Sequence, residues 1–343
     1  MSSTSESAGR YRLIGGNASP YSMKLRAIMR YRRLPHDWVL RTPAVAKETA
    51  HLKPQLVPIL RYPEDGSYHL DSTPLAYALE TRHPGERSII PDDPGHAFLS
   101  HLIEDMGDEW FTKAMFHYRF AGPVDQDYGA RWVVDDARSD LDGAALAEAA
   151  EAFKQRQIGR IPLVGATAEN AAVIEASYHR LLAILESHVG NGRFLFGSRP
   201  ALADFGLFGQ LKTLATDPTP LAIMRAEAPR VEHWVRRLDD ASGVAGDWID
   251  PEAPLPDAVI ALLQLASELY LPFLLANAEA RAAGEATFRA TLLGKPYGQG
   301  VFPYQVKCLS WLRDELAGLS DPALGRTRAV LEETGCWSAL QPD

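Results

Sequence analysis

Between Tyr11 and Arg82 the hydrophobic pattern changes period in an order that few folds accommodate. Tyr11–Gly15 (YRLIG) is a short strand candidate, and a Gly-Asn-Ala-Ser loop follows it. Pro20 stands where a helix tolerates proline, in its first turn. From Tyr21 to Leu34, Met23, Leu25, Ala27, Ile28, Met29 and Tyr31 include pairs at helical spacing, with basic residues between them. His36–Arg41 is a second strand candidate, and Val45–Leu52 a short helix. Val57–Tyr62 and Tyr68–Leu70 are separated by Glu64-Asp65-Gly66, a hairpin signal. Asp71-Ser72-Thr73-Pro74 then opens a helix to about Arg82, with Asp71 or Ser72 as its N-cap. A βαβ unit, a short helix, a hairpin and a closing helix predict a small mixed sheet with helices packed on it.

Segment 83–95 carries three prolines and two glycines and reads as a linker. Beyond it there is almost no strand pattern; helices are expected at 96–120, 127–157, 167–189, 201–216, 227–241, 257–283, 303–318 and 321–334. The Gly-, Pro- and Asp-rich stretch 242–256 is a second linker. The expected organisation is a disordered tail (1–10), an α/β unit (11–83), a linker (84–95), a helical domain (96–241) and a helical C-terminal extension (242–343). The net charge of −9 argues against a nucleic-acid partner, because phosphate binding needs a basic face. The first ten residues lack the apolar core of a secretory signal. The apolar stretch Leu255–Ala278 is broken by Asp257, Gln264, Glu268 and Pro272, which predicts a buried helix rather than a membrane span. Only two cysteines occur, Cys308 and Cys336, and neither lies in a CxxC pair. They suit a reducing cytoplasm and two small core residues. No Cys/His cluster has zinc spacing, so no metal is expected.

The chemistry concentrates at Ser19-Pro20-Tyr21-Ser22-Met23-Lys24-Leu25-Arg26, between a strand and a helix. A hydroxyl at a helix N-terminus sits in a field that stabilises negative charge. Ser19 can therefore be a plain N-cap, or it can donate a hydrogen bond to a bound thiolate and lower the thiol's pKa. Tyr21 and Ser22 are the rival activators. Val57-Pro58 either ends a loop or, with a cis bond, exposes the Val57 backbone to a peptide-like ligand. Ser72 and the backbone N–H groups beside it form either a cap or a carboxylate-binding corner.

S-P-Y-S-M-K-L-R, then V-P, then D-S-x-x-L-A-Y resembles the glutathione site of the glutathione S-transferase superfamily over about residues 11–240. The resemblance implies a thioredoxin-like N-terminal domain plus an all-α C-terminal domain, here with the extra helical extension. It implies Val57 and a cis Pro58 against the glutathione cysteinyl backbone, Asp71 and Ser72 at the γ-glutamyl group, and Lys53 at the glycyl carboxylate. Ser19 aligns with the catalytic serine of zeta-like classes and the cysteine of omega-like ones. A serine there disfavours thiol transfer, which needs a protein thiolate. Ala201-Leu202-Ala203-Asp204 resembles the capping box of the helical domain, with only its Asp204 half present. The implied protein is a cytoplasmic, homodimeric transferase of the detoxification type, using glutathione as co-substrate on a small hydrophobic electrophile. Glutathione-dependent isomerisation, dehalogenation, ether cleavage and a non-catalytic binding role are its rivals.

In such transferases the helix corresponding to 96–120 borders the electrophile pocket, which points to Trp110, Phe111 and Met115. His101, Glu104, Asp105, Asp108 and Glu109 recur on successive turns and read as a solvated face. The aromatic stretch Tyr270, Phe273, Tyr297, Phe302, Tyr304 and Trp311 is expected to fasten the extension to the body.

Overall fold

In a computed structural model that describes residues 9–85, 87–191 and 194–341, β1 (Tyr11–Gly15) is an inner strand of a four-stranded sheet of order β2-β1-β3-β4. It pairs in parallel with β2 (His36–Leu40) and antiparallel with β3 (Ile59–Arg61), on which β4 (Tyr68–Leu70) lies antiparallel. α1 (Pro20–Tyr31) makes the crossover between the parallel strands, α2 (Pro43–Glu48) follows β2, and α3 (Ser72–Arg82) closes the unit. The parallel pair requires such a crossover, whereas β3 and β4 need only a turn. The tail expected at 1–10 lies outside the described residues apart from Gly9 and Arg10.

α1 is buried on two sides. Leu25 and Met29 pack with Leu13, Leu60, Leu75 and Leu79 in the sheet core. Met23, Ala27, Ile28 and Tyr31 belong to the larger core of the helical domain.

That domain comprises α4 (Pro94–Glu109), α5 (Phe111–Ala121), α6 (Pro123–Ala137), α7 (Gly143–Ile158), α8 (Ile161–Val164), α9 (Ala171–His188), α10 (Leu202–Leu214), α11 (Pro218–Glu227) and α12 (Pro229–Leu238). The expected helix 96–120 breaks at Trp110, and 127–157 breaks between Ala137 and Gly143. α10 is central and almost wholly buried, and it crosses α4 closely. A Cβ on Gly206 would lie 2.9 Å from the Glu104 Cα, so only glycine fits there. Asp204 accepts from Ala201 N at 2.8 Å and from Leu195 N at 3.2 Å, supplying the half of the capping box that the sequence retains.

The extension comprises α13 (Asp257–Leu265), a π-helical turn at Ala266–Tyr270, α14 (Leu271–Ala282), β5 (Thr287–Leu292), β6 (Lys295–Gly300), α15 (Pro303–Ala317), α16 (Asp321–Glu333) and α17 (Trp337–Leu340). Asp257–Ala282 is long and apolar enough to cross a membrane, yet Val259, Leu262, Leu263, Leu269 and Phe273 are all inside the protein core. The β5–β6 hairpin departs from the sequence expectation of helices only. Its two-residue turn, Leu293-Gly294, has φ values of 51° and 71°, as a primed hairpin turn requires. Lys295, Pro296, Gly298 and Gly300 conceal β6 in the sequence, because none favours a strand.

Candidate functional site

Ser19 caps α1 with extended backbone, and its Oγ accepts the Ser22 N–H at 3.3 Å. An accepting hydroxyl keeps its own proton to donate. Ser19 faces a cleft of about 740 Å³, lined on the α/β side by Gly15, Tyr21 and Val57. Met115, Phe116 and Phe120 of α5, Val134 of α6 and Phe153 of α7 form the opposite, apolar wall. The Phe116 and Phe120 rings lie 4.7 Å apart, centroid to centroid.

Two polar ties from the helical domain hold the loop before Ser19. Arg119 donates to the Ala18 carbonyl at 2.9 Å through Nη1 and to Asp217 at 2.8 Å through Nε. Asp136 of α6 accepts from the Asn17 backbone N–H and from its amide, each at 3.2 Å. Burial pushes the Asp217 carboxyl up to about 6, and Arg119 opposes the shift. Sequence reading missed Arg119. Its one signal is a basic residue within the aromatic run of α5, which a packed core would not admit without a partner.

The rival activators are otherwise engaged. Tyr21 lines the cleft, but its hydroxyl donates to the Asp108 carbonyl at 3.1 Å. Burial, with Glu109 and Asp108 nearby, holds that phenol well above its ordinary value. Ser22 is fully buried, does not line the cleft, and its hydroxyl accepts the Gly16 N–H at 3.4 Å.

Val57 lines the cleft, and its bond to Pro58 is cis. Pro58 ends a loop immediately before β3 rather than lying within a strand. Lys53 is exposed and stands outside the cleft lining; Arg41 and Gln55, hydrogen-bonded to each other, line that end instead. Asp71 adopts φ 78° at the start of α3, with Ser72 buried beside it. The Asp71 Oδ2 accepts a 2.8 Å hydrogen bond from the Tyr304 hydroxyl of the extension. Ser19 and Val57 thus share one cleft, while Asp71 and Ser72 lie beyond its lining.

Of the aromatic run, Trp110 and Phe111 are fully buried core residues, contrary to the expectation that they line the pocket. Trp110 donates to Ser177 Oγ at 2.9 Å and packs edge-on against Phe273 and at a tilt against Tyr297 of the extension. Met115 does line the cleft, one helical turn further along α5.

The acidic face of α4 is not solvated either. His101, Glu104, Asp105 and Asp108 are buried, met by Lys24 of α1, Thr73 of α3, and Tyr270 and Glu315 of the extension. Lys24 of α1 donates to Asp108 at 2.6 Å, to Thr73 at 2.9 Å and to Glu104. Burial alone would lower the Lys24 ammonium, but the two carboxylates raise it on balance. One ammonium cannot neutralise both acids, and burial pushes Asp108 up to about 7. The Tyr270 hydroxyl donates to Asp105 at 2.7 Å, and His101 pairs with Glu315 of α15. Among the described residues no three metal-ligating side chains converge as a metal site would require.

A four-stranded mixed sheet flanked by helices, followed by an all-α domain, is the thioredoxin-like plus helical architecture of a two-domain transferase fold. Family models for the glutathione S-transferase N-terminal domain and C-terminal domain match residues 13–87 and 144–237. The chain belongs to the glutathione S-transferase superfamily. Solved structures resemble it at low identity. One is a glutathione S-transferase from Methylobacterium radiotolerans in complex with glutathione sulfonate (21% identity, TM-score 0.42, covering 72% of this chain and 100% of that one). Another is a glutathione S-transferase from Methylobacillus flagellatus with glutathione bound (18%, 0.39, 68% and 96%). A third is a beta-etherase from a Sphingobium species (16%, 0.44, 67% and 94%). No curated protein matches the chain.

Proposed function

We propose that this protein is a glutathione transferase-like enzyme in which Ser19 activates the thiol of bound glutathione. One observation carries the reading: a serine with a free hydroxyl proton, at a helix N-terminus, shares a cleft with Val57 and with an apolar wall. The Ser19 hydroxyl and the α1 dipole would together stabilise a thiolate, by roughly 1–3 kcal/mol for the hydrogen bond. That thiolate attacks an electrophilic carbon held against Met115, Phe116, Phe120 and Phe153. A carbon–sulfur bond forms, and the leaving group departs with the bonding pair. The same thiolate serves isomerisation, dehalogenation or ether cleavage when the electrophile differs. Val57, Pro58, Asp71 and Ser72 hold the peptide in this reading. Arg41 replaces the exposed Lys53 at its glycyl end. The reading also carries a cytoplasmic homodimer acting in detoxification.

Retention on immobilised glutathione, followed by turnover of a general electrophile, separates an enzyme from a binding protein. Ser19→Ala should still bind glutathione but raise the pKa of the bound thiol. An unchanged ultraviolet thiolate signal in that variant would refute the role of Ser19.

A further inference from the structure

The C-terminal extension does more than cover the helical domain, because one of its side chains reaches the peptide-binding end of the α/β domain. Tyr304 stands in the first turn of α15, and its hydroxyl donates to Asp71 Oδ2 at 2.8 Å. Its position is fixed from behind. The fully buried Asn277 of α14 clamps the preceding residue, accepting from Phe302 N at 2.8 Å and donating to Phe302 O at 3.0 Å. Pro303 then starts α15, whose inner face buries Cys308, Leu309 and Leu312. Tyr304 is therefore carried on a rigid arm.

Asp71 is held in an uncommon state. Its φ of 78° costs a non-glycine residue energy, and among the described residues its carboxylate makes no capping bond to α3. A carboxylate not used by its own helix needs another anchor, and Tyr304 supplies it at one oxygen. Among the described residues the other oxygen makes no hydrogen bond, which leaves it open to a ligand. The surroundings favour a cation there: Glu109 accepts from Gln305 at 3.3 Å, and Asp108 and Glu109 lie near Tyr21, which lines the Ser19 cleft.

We infer that Tyr304 of the extension is a positioning residue for glutathione: it orients the Asp71 carboxylate so that its free oxygen receives the α-ammonium of the γ-glutamyl group. This rests on the glutathione reading above and assigns the extension a part in ligand recognition. Losing a hydrogen bond to a charged group weakens the affected equilibrium by roughly tenfold or more.

The test uses the full chain with and without Tyr304→Phe, which keeps the ring and removes only the hydroxyl. Dissociation constants are measured by calorimetry for glutathione and for an analogue whose γ-glutamyl amine is replaced by hydrogen. The variant should bind glutathione about tenfold more weakly and the analogue within about twofold of the unmodified protein. The KM for glutathione should rise in parallel, with kcat at saturating glutathione held. Equal weakening of both ligands, or no weakening of either, overturns the inference. Tighter glutathione binding overturns it as well, because Tyr304 would then be competing with the ligand for Asp71. If the unmodified chain binds glutathione while the variant fails these expectations, only the role of Tyr304 falls. If the unmodified chain binds none, the glutathione reading falls with it.

Discussion

Lys24 Nζ lies 2.6 Å from Asp108 Oδ2, its own side chain closed to solvent and that of Asp108 nearly so, joining the first helix of the α/β domain to the first helix of the all-α domain. A buried ion pair contributes little net stability against an apolar replacement, but breaking one strands a charge. Here the stranded groups would be two carboxylates, Asp108 and Glu104.

Lys24→Met should therefore destabilise the protein by about 3–5 kcal/mol in urea unfolding. Adding Glu104→Gln and Asp108→Asn to the same chain should recover part of that loss. A loss below about 1 kcal/mol in the single variant would show that the cluster is already largely uncharged.

Gly209 of α10 is the second contact that sets α1. A Cβ there would meet the Pro20 carbonyl at 2.7 Å and Lys24 Cβ at 3.1 Å. Alanine is ordinarily the better helix former, yet here the first turn of α1 would have to retreat. Gly209→Ala should lower the melting temperature and, because Ser19 caps that turn, reduce the thiolate absorbance of the glutathione complex. A variant that melts higher than the unmodified protein would show the helices free to separate.

The pH response follows from Asp204, which burial pushes up to about 7 from an ordinary value of 3.8. With the folded value above the unfolded one, the folded state holds the proton more tightly. Its stabilising contribution is complete below about pH 4 and is lost as pH rises through about 7. Asp204→Asn cannot ionise, so its stability should fall less between pH 5 and 7 than that of the unmodified protein. Parallel stability–pH curves for the two would exclude Asp204 as the titrating group.

Phe153 closes the apolar wall 6.4 Å from Phe120, centroid to centroid. Under the proposed reaction, Phe153→Ala should raise KM for an aromatic electrophile about tenfold, as expected for removing a ring of this size from a pocket. KM for glutathione should stay unchanged. Equal changes in both would place Phe153 outside the electrophile site.

The places where the structure departs from the sequence pattern share one cause. Trp110 and Phe111 belong to the same aromatic run as Met115, and a helical run has one pattern whether it faces a core or a cleft. His101, Glu104, Asp105 and Asp108 resemble a wetted face because charge usually marks solvent. Their burial depends on Lys24, Tyr270 and Glu315, partners 80 or more residues away along the chain for Lys24–Glu104 and further for the other two. Strand β6 hides behind glycine and proline, since its register comes from β5 and a two-residue turn.

By itself the sequence determined the order of strands and helices up to Arg82, the cap at Ser19, the Val57-Pro58 junction and the Asp71-Ser72 helix start. Each is written in residues that lie within a few positions of one another, where backbone preference and hydrophobic period act directly. Only the tertiary structure decided what those residues meet. Arg119 and Asp136 hold the Ser19 loop, α5 and α7 furnish the wall across from it, and Tyr304 reaches Asp71 from 233 positions away. Such contacts arise because burying the apolar faces of α1, α10, α14 and α15 leaves one arrangement that also pairs the polar groups between them, and no local pattern encodes that choice.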